Sequence, residues 1–243
     1  MLEASDQPHI PSNEHDDMEP MRATYMSVVG GLLWLANVTR LDLCYITGQL
    51  ARFMTNPGPS HLKAAKRALL YLRATTDRIL TFKTDTTVGF ETFVDSNWCT
   101  MFSCSGTICK YHGCAFHWCS KMQRSVSLSS AEAEFFGAMM AARDVVFVRE
   151  VLSDLGIAMD GPSLIYSDSK SAIDMTIDPV AFKKTKHILR AAQFLRDLVA
   201  KEVVTFTHLQ GSLMPSDLLT KSVSRSILTD LMKIIHNDIY IYI

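Results

Sequence analysis

The chain has 243 residues, 48% of them apolar and 20% charged, with a formal net charge of -1. This composition suits one large globular domain or two small ones, and it excludes a protein that is basic all over, so any nucleic-acid contact must come from local patches. No apolar run reaches the roughly 18 residues needed to span a bilayer, and the polar start MLEASDQPHIPSNEHDDMEP lacks signal-peptide character, so an intracellular protein (cytoplasmic or nuclear) with no membrane contact is expected.

Residues 1–20 are polar and contain proline, and they read as a disordered leader or linker remnant. From Met21 the pattern changes. MSVVGGLLWLANVTRLDLCYITGQLARFM has helix-compatible apolar spacing, and Pro57-Gly58-Pro59 then breaks the chain. Ser60 is the expected N-cap of HLKAAKRALLYLRAT, whose Leu62, Ala65, Leu69 and Leu72 make an apolar stripe. Its cations Lys63, Lys66, Arg67 and Arg73 suit either a solvated face or phosphate contact. Residues 21–87 are thus expected to form a small helical segment.

A second region, residues 88–222, begins with VGFETFVDSNW, a strand ending in an Asp-Ser-Asn turn. GTICKYHG and CAFHWCSK follow as strands, with His112-Gly113 at the turn between them, which implies an antiparallel meander. SVSLSSAEAEFFGAMMAA opens a helix that runs to about Leu155 and is stopped by Gly156. SLIYSD is a strand followed by a helix from about Ser169, KTKHILRAAQFLRDLVAKE a longer helix, VVTFTHL a strand, and PSDLLTKSVSRSILTDLMKII one final helix. The order βββαβααβα predicts an α/β fold of the mixed-sheet α+β kind, with helices packed on the sheet. Residues 223–243 are expected to be the end of that helix and a tail, HNDIYIYI, with no assigned structure.

Six cysteines without a secretory signal imply reduced thiols. Cys99, Cys104, Cys109, Cys114 and Cys119 recur every fifth residue. That spacing sends successive members to opposite faces of a strand and gathers no C-x2-C pair, so buried or half-buried thiols are expected rather than a zinc site.

Two glutamates flank Ala133. Ser129 and Glu132 form a capping box, which assigns Glu132 to local structure. Glu134 is left among apolar neighbours and needs a cationic partner. Asp95 ends the first strand, Asp168 ends SLIYSD, and Asp217 lies in the first turn of the last helix. Singly, each has a local explanation: a turn, a helix cap, an answer to the helix dipole. Converging, the four would make an oxygen-only anionic cluster that is stable around hard cations such as Mg2+ or Mn2+. Two such ions about 4 Å apart clamp the attacking water and the leaving oxygen of a phosphodiester.

The motifs VDSNW, SKMQRSVSLSSAEAEF, IYSDSKSAI, KTKHI and PSDLLTK, in this order, resemble the ribonuclease H domain of copia-type retrotransposon Pol polyproteins. The segment from Tyr25 to Asp77 resembles the connection between reverse transcriptase and ribonuclease H in the same polyproteins, and the resemblance covers about Met21 to Ser222. It implies a ribonuclease H-like fold, three antiparallel strands followed by two joined through helices. It implies hydrolysis of the RNA strand of an RNA–DNA hybrid during reverse transcription, with two Mg2+ (or Mn2+) ions as cofactor, and the remaining Pol polyprotein, including reverse transcriptase, as partner. The family's metal-binding and catalytic acids fall on Asp95, Glu134, Asp168 and Asp217.

The chain departs from the family pattern at Asn97, Met122, Leu41 and Leu189, and it carries no Tyr-x-Asp-Asp polymerase motif. It therefore reads as a C-terminal fragment or truncated copy of such a polyprotein. The alternative function is a catalytically decayed, non-enzymatic nucleic-acid-binding remnant. Lys183, Lys184, Lys186, His187 and Arg190 open the long helix, where cations oppose the dipole and so suit either solvent or a phosphate backbone. Ser130 is a further candidate nucleic-acid contact. His208 is a candidate for proton transfer to the leaving group, with a buried strand histidine as the simpler reading. Trp98 and Trp118 are expected in the core.

Overall fold

The computed structural model describes residues 15–82, 89–99, 102–177 and 186–236. The chain divides into two compact units, Met1–Leu80 and Thr81–Ile243.

The first unit comprises α1 (His15–Val38), a 3-10 turn (Leu41–Leu43), α2 (Cys44–Ala51) and α3 (Pro59–Arg73). Tyr25, Val29, Leu32 and Ala36 form the buried stripe of α1, at helical spacing. Helix α1 opens at His15, inside the stretch expected to be disordered; once the anchored stripe nucleates a helix, propagation costs little per added residue. The Tyr25 hydroxyl donates to the Leu50 carbonyl at 2.6 Å and ties α1 to α2. Ser60 is not the cap of α3. Gly58 takes that place with Pro59 in the first helical position, and the Gly58 amide donates to His61 Nδ1 at 2.9 Å. The buried side of α3 is His61, Ala65 and Ala68, whereas Leu69 of the expected stripe is exposed; small residues let α3 pack on α1 and α2. Lys63, Lys66, Arg67 and Arg73 are all exposed.

Arg40 is buried in this unit. It pairs with Asp42 at 2.8 Å, donates to Thr75 Oγ1 at 2.7 Å, and shares Asp42 with the Tyr71 hydroxyl at 2.5 Å. A buried guanidinium needs this saturation of its donors.

The second unit is a five-stranded mixed sheet with order β3-β2-β1-β4-β5, built from β1 (Phe90–Asn97), β2 (Cys104–Tyr111), β3 (Cys114–Met122), β4 (Ser163–Ser167) and β5 (Val204–His208). The first three strands pair antiparallel, and β4 and β5 add in parallel, as a ribonuclease H-like sheet requires. His112 (φ 50°) and Gly113 (φ 76°) make the two-residue hairpin turn between β2 and β3, whose positive φ values match the twist of the strands.

Helices α4 (Ser130–Asp154), α5 (Lys170–Ile177) and α6 (Lys186–Ala200) connect the later strands. The main core sits between the sheet and the helices: Phe90, Val94, Cys109 and Ile165 meet Phe135, Ala138 and Val145 of α4 and Ala192 and Leu195 of α6. Alternation along β1 and β2 sends Phe93, Asp95, Gly106 and Ile108 to the opposite face. There α7 (Asp217–Thr220) and α8 (Arg225–Ile235) follow. The expected single last helix is thus two, because Lys221 adopts an extended backbone (φ -146°, ψ 161°) and Ser224 caps a new start. Buried Lys110 donates to the Ile234 carbonyl at 2.9 Å and holds the end of α8 to the sheet.

All six cysteines are free thiols. Cys104, Cys109 and Cys114 are buried and Cys119 half-buried, but Cys99 is exposed because it lies past the end of β1. Burial pushes the Cys104 thiol up to about 11 and the Cys109 thiol up to about 12. No helix of the described residues is long and apolar enough to cross a membrane.

Two glycines set how closely helices approach the sheet. A methyl on Gly106 of β2 would lie 2.6 Å from Leu219 Cβ and 3.1 Å from the Ser216 carbonyl, so its absence seats α7. A methyl on Gly137 of α4 would run into Ser96 Oγ and stand 3.3 Å from Val94 Cγ2. We expect Gly137→Ala to destabilise the second unit by about 1–3 kcal/mol, the usual cost of overpacking, read as a lower urea midpoint. An unchanged midpoint would show that α4 has room to retreat.

Candidate active site

The pairing of parallel strands β1 and β4 ends at Val94 opposite Ser167. Asp95 and Asp168 are therefore the next residues on two neighbouring strands. This is the carboxyl end of the parallel pair, where open α/β sheets place their ligand sites. Asp95 is buried and accepts a hydrogen bond from Thr220 Oγ1. Asp168 is half-buried and is not spent on capping, because Ser169 Oγ accepts from the Ala172 amide at 3.2 Å and starts α5 itself. Gly211 lies beside it: a methyl there would be 3.3 Å from Asp168 Oδ2.

Helix α4 brings the third acid. Ser129 Oγ accepts from the Glu132 amide at 3.2 Å, as the capping box predicts. The Glu132 carboxylate reaches past the cap and accepts from the Leu128 amide at 2.9 Å. Glu132 is thereby satisfied locally and Glu134 is not. Glu134 is 8% exposed, and its Oε2 is buried with no hydrogen-bond partner. The loop before α4 is fastened by Gln123, which donates to Ser105 Oγ and to the Ala133 carbonyl, each at 2.8 Å, and accepts from Ser127 Oγ at 2.8 Å. Trp98 Nε1 donates to the Ser127 carbonyl at 2.9 Å. Trp98 is consequently 47% exposed beside the site rather than in the core, whereas Trp118 is buried.

Asp95, Glu134 and Asp168 offer one oxygen each within 4.8 Å of one another, the one group of three possible metal ligands among the described residues. Asp217 stands at the start of α7, outside that trio, and is joined to it by Lys221. The ammonium is 2.9 Å from Asp217 Oδ1 and 3.7 Å from Asp95 Oδ2. Burial, then the charges of Asp95 and Asp168, push the Glu134 carboxyl up to about 9, although Lys221 and the Ser96 backbone act in the opposite direction. Burial and Asp95 push Asp217 up to about 6, against the pull of Lys221. Asp168 is raised by burial and Asp95, and lowered in part by Lys221 and His208. The donors are all hard oxygens, one is buried without a partner, and the cluster resists carrying its full negative charge; these are the properties of a divalent-cation site.

Of the remaining candidates, Ser130 is exposed at the first position of α4. His208 is exposed at the end of β5, opposite Ser167 in register, rather than buried in the strand, and its charge acts on Asp168. Arg190 is exposed on α6 and shares a groove between α4 and α6 with Arg143, a cation the sequence reading did not name. Lys183 and Lys184 lie outside the described residues, as do the side chains of Lys186 and His187. Sequence reasoning missed Lys221, Thr220 and Gln123. The signal for Lys221 is its spacing, four residues after Asp217, which places opposite charges on one helical face.

No protein-family model matches the chain. It is 31% identical over 209 residues to the retrovirus-related Pol polyprotein from transposon TNT 1-94 of Nicotiana tabacum, covering 84% of this chain and 16% of that polyprotein. Over 128 residues it is 36% identical to secreted RxLR effector protein 161 of Plasmopara viticola, covering 51% of this chain and 90% of that protein. Among solved structures, the N-terminal ribonuclease H domain of a Mycobacterium tuberculosis protein superposes with a TM-score of 0.41 at 12% identity, over 60% of this chain and 97% of that one. Retrovirus-related Pol polyproteins of the RE1 and RE2 transposons of Arabidopsis thaliana align over a similar length at the same 31% identity. The chain belongs to the copia-type retrovirus-related Pol polyprotein family.

Proposed function

We propose that the second unit is the ribonuclease H of a retrotransposon Pol polyprotein, hydrolysing the RNA strand of an RNA–DNA hybrid during reverse transcription. The observation that carries this reading is the trio Asp95, Glu134 and Asp168 within 4.8 Å, with Glu134 Oε2 buried and unpartnered. Asp95, Glu134, Asp168 and Asp217 would hold two Mg2+ or Mn2+ ions. When bound, such ions supply an activated water and stabilise the leaving oxygen of the phosphodiester.

The protein's own groups do the rest. Asp95 and Asp168 are fixed by the sheet, and Glu134 by the cap and Gln123, so the ligand oxygens are preorganised. His208, exposed at the end of β5, would give a proton to the leaving 3′ oxygen; its electrostatic influence on Asp168 supports this role. Arg190 with Arg143, the stretch 183–187 and Ser130 supply contacts to the phosphate backbone, which is how a hybrid is gripped without base readout. Residues 21–87 act as the segment that joins reverse transcriptase to this domain. The departures Asn97 and Met122 fall at the ends of β1 and β3, outside the four acids.

The purified chain with Mg2+ or Mn2+ is expected to cleave the RNA strand of a labelled hybrid, and Asp95→Asn to lower the rate by at least about 10²-fold, beyond the usual cost of removing an outer partner of a metal ligand. Equal residual cleavage by parent and variant would instead favour the decayed, nucleic-acid-binding remnant.

A pH experiment tests the cluster without any substrate. The Glu134 carboxyl is raised from an ordinary value of 4.5 to about 9, so the folded state binds the proton more tightly than the unfolded chain. The stabilisation this gives is complete below the ordinary value and is lost as pH rises through about 9. In chelator, thermal stability is expected to fall across that window, and Glu134→Gln to flatten the fall. A variant with the parent's slope would remove Glu134 as its origin.

A further inference from the structure

Lys221 stands on the same oxygens that a divalent ion would use. Its Nζ lies 2.9 Å from Asp217 Oδ1 and 3.7 Å from Asp95 Oδ2, in ion-pair contact with one strand acid and one helix acid. An ammonium at those distances places its charge on the carboxylate oxygens that a hard divalent ion would also need. The two cations repel each other across a half-buried site where screening is weak. Both cannot hold these oxygens together.

The backbone beneath Lys221 is anchored independently of its side chain. The Leu219 carbonyl accepts from Ser120 Oγ at 2.5 Å, Thr220 Oγ1 donates to Asp95, and Gly106 leaves room for the short α7. Lys221 itself is 38% exposed and follows an extended residue geometry at the end of α7. Its long stem can carry the ammonium to solvent while α7 stays in place.

Resting on the metal-site reading above, we propose that Lys221 is a positioning residue that competes with divalent metal. In the metal-free protein it is the counter-charge that keeps Asp217 beside Asp95, and on metal entry it is displaced, so that it sets the affinity for the ion held between those two acids. A lysine that merely supported the site would act differently: its loss would weaken stability and metal binding together. A competitor moves the two in opposite directions.

The test is calorimetric titration of MgCl2 into the full chain and into Lys221→Met and Lys221→Arg, paired with melting curves in chelator. Lys221→Met is expected to bind Mg2+ about tenfold tighter, a change of the size that partners of metal ligands produce but of opposite sign, while melting lower in chelator. Lys221→Arg, which keeps the charge, should stay near the parent in both. Lys221→Gln provides the same readout should the methionine variant fail to fold. Mg2+ binding equal to or weaker than the parent in the uncharged variants overturns the competition, provided the parent binds saturably and Asp95→Asn does not. A parent that shows no saturable binding, indistinguishable from Asp95→Asn, overturns the metal reading and this inference with it.

Discussion

Four carboxylates brought to one corner of a sheet repel one another, and the second unit is arranged around the means of holding them there. Asp95 and Asp168 are held by the end of the β1–β4 pairing, and Glu134 by a helix whose capping box is complete without it. The contacts these side chains make are few: Thr220 Oγ1 and Lys221 on Asp95, and no hydrogen bond at all on Glu134 Oε2. Each is carried into place by backbone that is stabilised elsewhere, by the apolar layer between the sheet and α4 and α6. The core thus supplies the free energy that the clustering of these acids consumes. Gly106 and Gly137 belong to the same arrangement, since a side chain at either position would keep a helix from reaching the sheet end where the acids meet.

What could be read from the sequence follows the range over which each feature is determined. The strands, the His112-Gly113 turn, the start of α4 and the distinction between Glu132 and Glu134 rest on residues within a few positions of one another, and they appear as expected. The cap of α3 lies at Gly58, two residues before Ser60, because Pro59 takes the first helical position and fixes its own φ. The sequence from Pro215 to Ile235 predicts one helix because no proline or glycine interrupts it; the break at Lys221 accompanies the seating of α7 on β2, which no local pattern announces. Residue type alone predicts burial for His208 and Trp98, and both are exposed. Trp98 lies one residue past the last pair of β1, and His208 is the last paired residue of the edge strand β5, so the sheet covers neither fully.

The cysteines make the same point from the other direction. Their even spacing looks like a pattern with a purpose, yet they are distributed over two strands and the strand end, and burial raises the thiols of Cys104 and Cys109 away from the reactive thiolate form. Periodicity in sequence becomes a site only where the register folds it onto one face. The acids have no periodicity at all and converge through the crossover connection from β1 to β4 and the return of the chain after β5. Arg40 of the first unit is a further case: its buried guanidinium is held by Asp42 and Thr75, a pairing across 35 residues in the second instance that no local pattern announces.

Two cationic solutions to the same repulsion coexist in the second unit, and they differ in kind. At Glu134 the solution is a proton, because burial and the neighbouring charges favour the neutral acid. At Asp217 and Asp95 it is the Lys221 ammonium, because the residue that ends α7, four positions after Asp217, can reach both. A proton neutralises one oxygen pair and adds no bulk, which suits the buried end of the cluster. An ammonium needs room and a route to water, which suits the half-exposed end. Divalent ions would have to expel both, releasing a proton from Glu134 and moving Lys221 outward, so metal binding at this corner is coupled to pH through one residue and to side-chain position through the other. The same charges that make the cluster attractive to a hard cation therefore also set what that cation must displace.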